Sequence, residues 1–186
     1  MAETGAGAVR RPLNYWRIGR WSAAGVLLLV PLAMMQVSDG WHWTAGSFVF
    51  AGGVIGGTIL LYEFAERLND SRAYRAGIAL ALLACFLTVW TTIVRDDGTG
   101  MAYFMIVMAA GVGAFAAWFR PAGMARAMIG VAGMQALLGI GVATAPVTAR
   151  MPDGPERALV FAAVFTLLWL ASAVCFGKAA RTAARD

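Results

Sequence analysis

Six long apolar stretches, separated by short polar segments, dominate the sequence. Their approximate bounds are 21–37, 44–62, 76–94, 101–119, 125–145 and 157–177. A helix rises about 1.5 Å per residue, so each stretch can cross the roughly 30 Å of hydrocarbon in a bilayer, although 21–37 and 101–119 are near the short limit. Polar residues that break helices, such as Asp39, Asn69 and Pro152, lie between the stretches. The pattern predicts an all-α polytopic membrane protein with six transmembrane helices.

The basic residues predict the orientation of these helices. Twelve of the fifteen Lys and Arg residues flank the stretches on one side, namely Arg10, Arg11, Arg17, Arg20, Arg67, Arg72, Arg75, Arg120, Arg126, Lys178, Arg181 and Arg185. The other side has only Arg95, Arg150 and Arg157. Because cytoplasmic loops are rich in Lys and Arg, both termini are expected in the cytoplasm. The expected organisation is a basic cytoplasmic segment over 1–20, a six-helix transmembrane domain over 21–177 and a basic cytoplasmic tail over 178–186.

Composition agrees with a membrane protein and argues against nucleic-acid binding. Apolar residues make up 60% of the chain and charged residues 13%, against about 25% charged in soluble domains. The net charge of +5 is divided among short segments beside the apolar stretches and forms no patch interleaved with aromatic residues. The expected contacts of the basic side are therefore the lipid bilayer and its anionic headgroups in a bacterial inner membrane.

No pattern in the sequence points to catalysis. No Asp, Glu, Lys, Arg or His falls in the middle third of any apolar stretch, where a charge costs at least ~2.5 kcal/mol and is kept mainly for function. His42 is the only histidine, and Cys85 and Cys175 are expected at different depths in the membrane, which disfavours a disulfide or a metal site. The expectation is a non-enzymatic protein without catalytic residues, metal or cofactor.

A polar group at the end of the third stretch is the first candidate for binding. It comprises Trp90, Thr91, Arg95, Asp96 and Asp97. The two simplest interpretations are a helix end whose threonines bond to helix carbonyls beside a solvated ion pair, and a periplasmic edge that contacts a partner.

Glu63 and Gln135 are the other candidate binding residues. Glu63 lies one residue beyond the second stretch, where it either pairs with Arg67 at a solvated helix end or lines a vestibule that faces the cytoplasm. Gln135 lies in the middle of the fifth stretch. Its amide is expected to hydrogen-bond across helices for roughly 1 kcal/mol, or to line a polar passage.

Glycines on the second stretch predict close helix packing. Gly52 with Gly56, and Gly53 with Gly57, form two overlapping pairs of small residues four apart. Such pairs let another helix backbone approach closely. The partner helix could belong to the same chain or to a second copy.

The second to fifth stretches resemble a family of small multi-pass bacterial inner-membrane proteins with no established function. The similarity is found in Trp43-Thr44 with Phe48, Tyr62-Glu63, Tyr74-Arg75-Ala76, Trp90, Phe119-Arg120, Gly123-Met124-Ala125-Arg126-Ala127 and Gln135-Ala136-Leu137. The resemblance implies a bacterial inner-membrane location and supplies no activity.

Taken together, these patterns predict an integral membrane protein that acts as a structural or accessory component. It would work through helix–helix contacts, either with itself as a homo-oligomer or with another membrane protein. The alternative is a small passive transporter or channel. That alternative requires an oligomer, because one chain offers too few polar residues in its apolar stretches to line a pore.

Overall fold

The structure is a computed structural model that describes residues 15–38, 43–95 and 100–185, with the backbone alone for Trp16, 93–95 and Gly100. The described residues form seven α-helices and no strand, which confirms the all-α prediction. The helices are α1 (Tyr15–Val37), α2 (Ala45–Leu68), α3 (Arg72–Arg95), α4 (Gly100–Ala116), α5 (Pro121–Ala143), α6 (Pro146–Ala149) and α7 (Gly154–Ala183). Among them, α1, α2, α3, α5 and α7 are long and apolar enough to cross a membrane.

The fourth apolar stretch differs from the expectation, because α4 stops at Ala116 instead of 119. Trp118 and Phe119 have left-handed backbone angles, with φ of 49° and 56°. A right-handed helix cannot continue through such residues. The apolar part of α4, Met101–Ala116, is correspondingly shorter than the other candidate spans.

Two other helices extend beyond the expected transmembrane domain 21–177. α1 begins at Tyr15, before the first apolar stretch, and α7 continues to Ala183. Their additional residues include charged side chains such as Arg17 and Lys178. The backbone at these residues can remain helical while the charged ends of the side chains reach the headgroups. An apolar stretch therefore marks the part of a helix suited to hydrocarbon, and the helix itself is longer.

The chain divides into two compact units, with the division after Ile59 inside α2. The first unit contains α1 and the earlier part of α2. Thr44 precedes α2 and caps it. Its hydroxyl accepts a hydrogen bond from the Ser47 amide at 3.2 Å. Within this unit, α1 lies beside the glycines of α2: a Cβ built on Gly56 would be 3.9 Å from the Trp21 ring.

The second unit, which begins at Leu60, contains a ring of four long helices. α7 packs against α3 and α5, and α4 packs against the same two helices. The buried residues of α7 recur about once per turn and form one face, namely Ala158, Ala162, Phe165, Trp169, Ser172, Ala173, Phe176 and Ala179. Trp169 and Phe176 are fully buried in the core of this unit.

The closest approach of two helices in the second unit is between α5 and α7. A Cβ added to Gly139 would overlap the Cβ of Ala162. One turn farther along α5 is Ala143, and one turn earlier on α7 is Ala158, both of them buried. Small residues on both helices thus bring the two backbones together, which is how membrane helices gain packing contacts.

Two hydrogen bonds join α3 to its neighbours. The Ser172 hydroxyl donates to the Gly77 carbonyl at 2.8 Å, which links α7 to α3. The Tyr74 hydroxyl donates to the Phe119 carbonyl at 2.8 Å, just after the end of α4. The Phe119 carbonyl is available for the second bond because the left-handed turn at Trp118 and Phe119 has ended the helical hydrogen-bond pattern. Both bonds satisfy polar groups that would otherwise face an apolar core.

Candidate functional site

The end of α3 carries the aromatic and threonine residues of the predicted periplasmic edge. The Trp90 side chain is 37% exposed, and its ring stacks on Phe86 with centroids 6.0 Å apart. Thr91 donates its hydroxyl to the Leu87 carbonyl at 2.6 Å, and Thr92 donates to the Thr88 carbonyl at 2.9 Å. These back-bonds confirm the interpretation that the threonine hydroxyls serve their own helix.

The charged half of that edge cannot be placed. α3 ends at Arg95, whose side chain lies outside the described residues, as do Asp96 and Asp97. The ion pair between Arg95 and these acids therefore stays a prediction. Among the five residues of the edge, the structure places the side chains of Trp90 and Thr91 alone.

Glu63 lies in the part of α2 that belongs to the second unit. Its side chain is only 8% exposed, while Ala65 nearby forms part of the core and Tyr62 packs against it. Arg67, one turn later, is exposed. Burial of Glu63 distinguishes it from the solvated helix end that the sequence offered as one interpretation. Burying a carboxylate costs free energy unless the group is hydrogen-bonded or paired with a positive charge. The position of Glu63 therefore requires a polar neighbour.

Gln135 is fully buried where α5 packs on α7, and neither its amide oxygen nor its amide nitrogen has a hydrogen-bond partner among the described residues. The expected direct hydrogen bond across helices is therefore wrong. Two side chains of α7 share this condition: the Thr166 hydroxyl and the Trp169 indole nitrogen are buried without a hydrogen-bond partner. We refer to Gln135, Thr166 and Trp169 as the polar trio.

The packing register places the members of the polar trio within about one helical turn of each other in the second unit. α5 and α7 run antiparallel, with Gly139 opposite Ala162. Gln135 is one turn before Gly139 and Thr166 is one turn after Ala162, so both lie on the same side of the close contact. Trp169 follows Thr166 by three residues, on the same face of α7 as Ala162. Three polar groups that are separate in the sequence thus become neighbours along the helix pair.

Sequence reasoning recognised Gln135 as a polar residue in the middle of an apolar stretch, but it did not bring this residue together with Thr166 and Trp169. The missing information was the register of α5 against α7. Gly139 with Ala143, and Ala158 with Ala162, are pairs of small residues four apart and could have indicated that register. Alanine is so frequent in this chain that such pairs are easily overlooked.

The four glycines of α2 face in two directions. A Cβ on Gly52 or Gly56 would be 3.8 Å from Leu28 or 3.9 Å from Trp21, so both glycines face α1 at ordinary contact distance. A Cβ on Gly53 or Gly57 would meet no described atom within 4 Å. Within the first unit, therefore, nothing packs closely on Gly53 and Gly57, and close packing there stays a prediction.

Possible metal and redox positions complete the survey. Within the ranges 15–38, 43–95 and 100–185, no three His, Cys, Asp or Glu side chains come together as metal ligands. His42 lies outside the described residues. Cys85 and Cys175 are half-buried free thiols.

Comparisons with other proteins add no family to this description. No protein-family model matches the chain, and neither the curated proteins nor the solved structures include a match. Its function must therefore be inferred from the placement of its own residues.

Proposed function

We propose that this protein is a non-enzymatic accessory component of a bacterial inner membrane, acting through contacts of its helices with a second copy or with another membrane protein. The observation that carries this proposal is the glycine pair Gly53 and Gly57 on α2. Within the first unit, a Cβ added to either glycine would meet no atom within 4 Å. Two small residues four apart on one helix allow a neighbouring helix to approach closely.

The exposure of α1 supports the same function. Only 11% of the residues in the most apolar part of α1 are buried, compared with 33% in the corresponding part of α7. Large apolar side chains such as Val26, Leu27 and Leu29 are more than half exposed. Within the first unit, much of the apolar surface of α1 is uncovered, so it is available to lipid or to a helix neighbour.

The alternative, a passive transporter, is favoured by the polar trio, because polar side chains at mid-membrane depth could belong to a passage. The packing of the second unit argues against a passage within one chain. Trp169, Phe176 and Met128 fill the core of the second unit with large side chains. A pore would have to form between copies of the chain.

A purification experiment tests the accessory function. Tagged protein is extracted in mild detergent and weighed as an intact complex by native mass spectrometry, with Gly53→Leu and Gly57→Leu compared against Gly133→Leu. Gly133 also has no described atom within 4 Å of an added Cβ, but it lies on α5. We expect wild type and Gly133→Leu to retain a second chain. Gly53→Leu and Gly57→Leu should weaken its association about tenfold, which corresponds to roughly 1.4 kcal/mol.

Two results would contradict the accessory function. One is a monomeric wild-type protein, and the other is equal retention of the second chain in all variants. Proteoliposomes provide a separate check, since we expect no solute flux above that of empty vesicles. Saturable flux that disappears in Gln135→Leu would support the transporter instead.

The side of the membrane on which each loop lies is a further prediction, and it depends on whether α4 crosses the bilayer. Reporter fusions are expected to be periplasmic after Gly40, Gly98 and Gly154, and cytoplasmic after Asp70, Gly123 and Asp186. α4 has 17 residues and spans about 25 Å at 1.5 Å per residue, so it must cross a slightly thinned bilayer. If α4 does not cross, the fusions after Gly123, Gly154 and Asp186 will all report the opposite side. That pattern would replace six spans with five.

A further inference from the structure

We propose that the polar trio is a hydration site, in which Gln135, Thr166 and Trp169 bind water inside the second unit. The starting point is their combined burial. Gln135 and Trp169 have no exposed surface, and the Thr166 hydroxyl oxygen is buried as well. None of the four polar atoms involved has a hydrogen-bond partner among the described residues. Buried polar atoms in folded proteins almost always have a partner, and internal water is a common one.

The chemistry of the polar trio is complementary to water. The Trp169 indole and the Gln135 amide nitrogen are donors, and the Gln135 amide oxygen is an acceptor. The Thr166 hydroxyl can act in either role. One water molecule can accept from the indole and donate to the amide oxygen, leaving its other positions for Thr166. Internal water typically makes about three such bonds, which the trio can supply.

The other helices leave small side chains at this level. Ala84 on α3 lies two turns beyond Gly77, and α7 runs antiparallel to α3 from the bond between Ser172 and Gly77. The level of Ala84 is therefore that of Phe165 and Thr166. Ala84 and Ala132 are both buried methyl side chains. Neither alanine offers a polar side-chain group to the trio, whose four polar atoms have no hydrogen-bond partner among the described residues.

The occupant must be small and neutral. Complete burial of Gln135 and Trp169 keeps lipid headgroups and their phosphates away from the trio. The trio has no charged member, so an ion would be left without a counter-charge in an apolar core. Water satisfies both conditions. This inference is independent of the accessory function, because it concerns the interior of the second unit alone.

Nuclear magnetic resonance of the indole protons tests the proposal directly. The protein has seven tryptophans, and nitrogen-15 labelling in deuterated detergent gives one indole signal for each. The signal missing from Trp169→Phe identifies Trp169. We expect this indole proton to show a cross-peak at the water frequency while its own exchange with solvent stays slow. The cross-peak should be lost in Gln135→Leu and kept in Met134→Leu, a change on the lipid-facing side of the same helix.

Thr166→Val is a second test of the same site, which can be used if Gln135→Leu does not fold. It removes the hydroxyl while nearly preserving the shape of the side chain, and it should shift or abolish the same cross-peak. The proposal is overturned if the Trp169 proton in the wild type shows contacts to the Gln135 amide and none to water. It is equally overturned if the water cross-peak persists unchanged in both Thr166→Val and Gln135→Leu.

Discussion

Replacing Gly139 with leucine should prevent α5 and α7 from packing and destabilise the second unit more than any other single change considered for it. Even one added Cβ would overlap Ala162, and the backbone of Ala162 lies only 3.4 Å from that Cβ. Because the Cβ of Ala162 is fixed by its backbone, no rotamer change can relieve the overlap. We expect a loss of about 4 kcal/mol or more, above the roughly 1–3 kcal/mol typical of overpacked cores, because the overlap begins at the first added atom.

The measurement is the unfolding midpoint in detergent, by heat or by added denaturing detergent, for Gly139→Leu and Gly139→Ala. Gly133→Leu is the matched control, since it adds the same side chain to the same helix at a position with no described atom within 4 Å. The alanine variant should lie between wild type and the leucine variant. Equal midpoints for Gly139→Leu and Gly133→Leu would show that the register between α5 and α7 is wrong.

Truncating Trp169 to alanine should produce the second largest loss. The side chain is fully buried in the core of the second unit, and its removal leaves a cavity. Lipid tails are as apolar as this core, so the loss comes mainly from missing packing contacts and less from transfer out of water. We expect about 2 to 4 kcal/mol, somewhat below the upper values for Trp→Ala in soluble cores.

Leu167→Ala provides the comparison for Trp169→Ala. Leu167 lies half a turn away on α7 and is 64% exposed, so its truncation removes few contacts within the protein. Its free energy of unfolding should stay within about 0.5 kcal/mol of the wild-type value. A Trp169→Ala variant that unfolds at the same midpoint as Leu167→Ala would mean that Trp169 does not pack in the core.

The helices were predictable because a membrane requires long apolar segments, but their ends were not. Apolarity predicted the third stretch to begin at 76, whereas α3 begins at Arg72. Arg72 and Arg75 can remain helical in the headgroup region, where hydrophobicity gives no signal. The end of α4 was missed for another reason. Trp118 and Phe119 adopt left-handed backbone angles without a glycine or asparagine to indicate them.

The polar trio was only partly predictable, since it depends on tertiary register. Gln135 was recognisable as a large polar residue in an apolar stretch. Its proximity to Thr166 depends on the contact of Gly139 with Ala162, which brings together residues from two helices. The doubled glycines of α2 gave a clearer sequence signal than the mixed glycine and alanine pairs of α5 and α7. The clearest small-residue pattern in the sequence is thus not where the second unit packs most closely.

The position of α7 in the ring has a consequence for biogenesis. The chain is synthesised from its N-terminus, so α3, α4 and α5 are made before α7, which contacts both α3 and α5. Until α7 arrives, the Gln135 amide and the groove at Gly139 are uncovered. The same helix brings Ala162 to that groove, Phe176 to Tyr74 and Ser172 to Gly77. Closure of the ring and completion of its core therefore both depend on α7, which is synthesised after the other three helices.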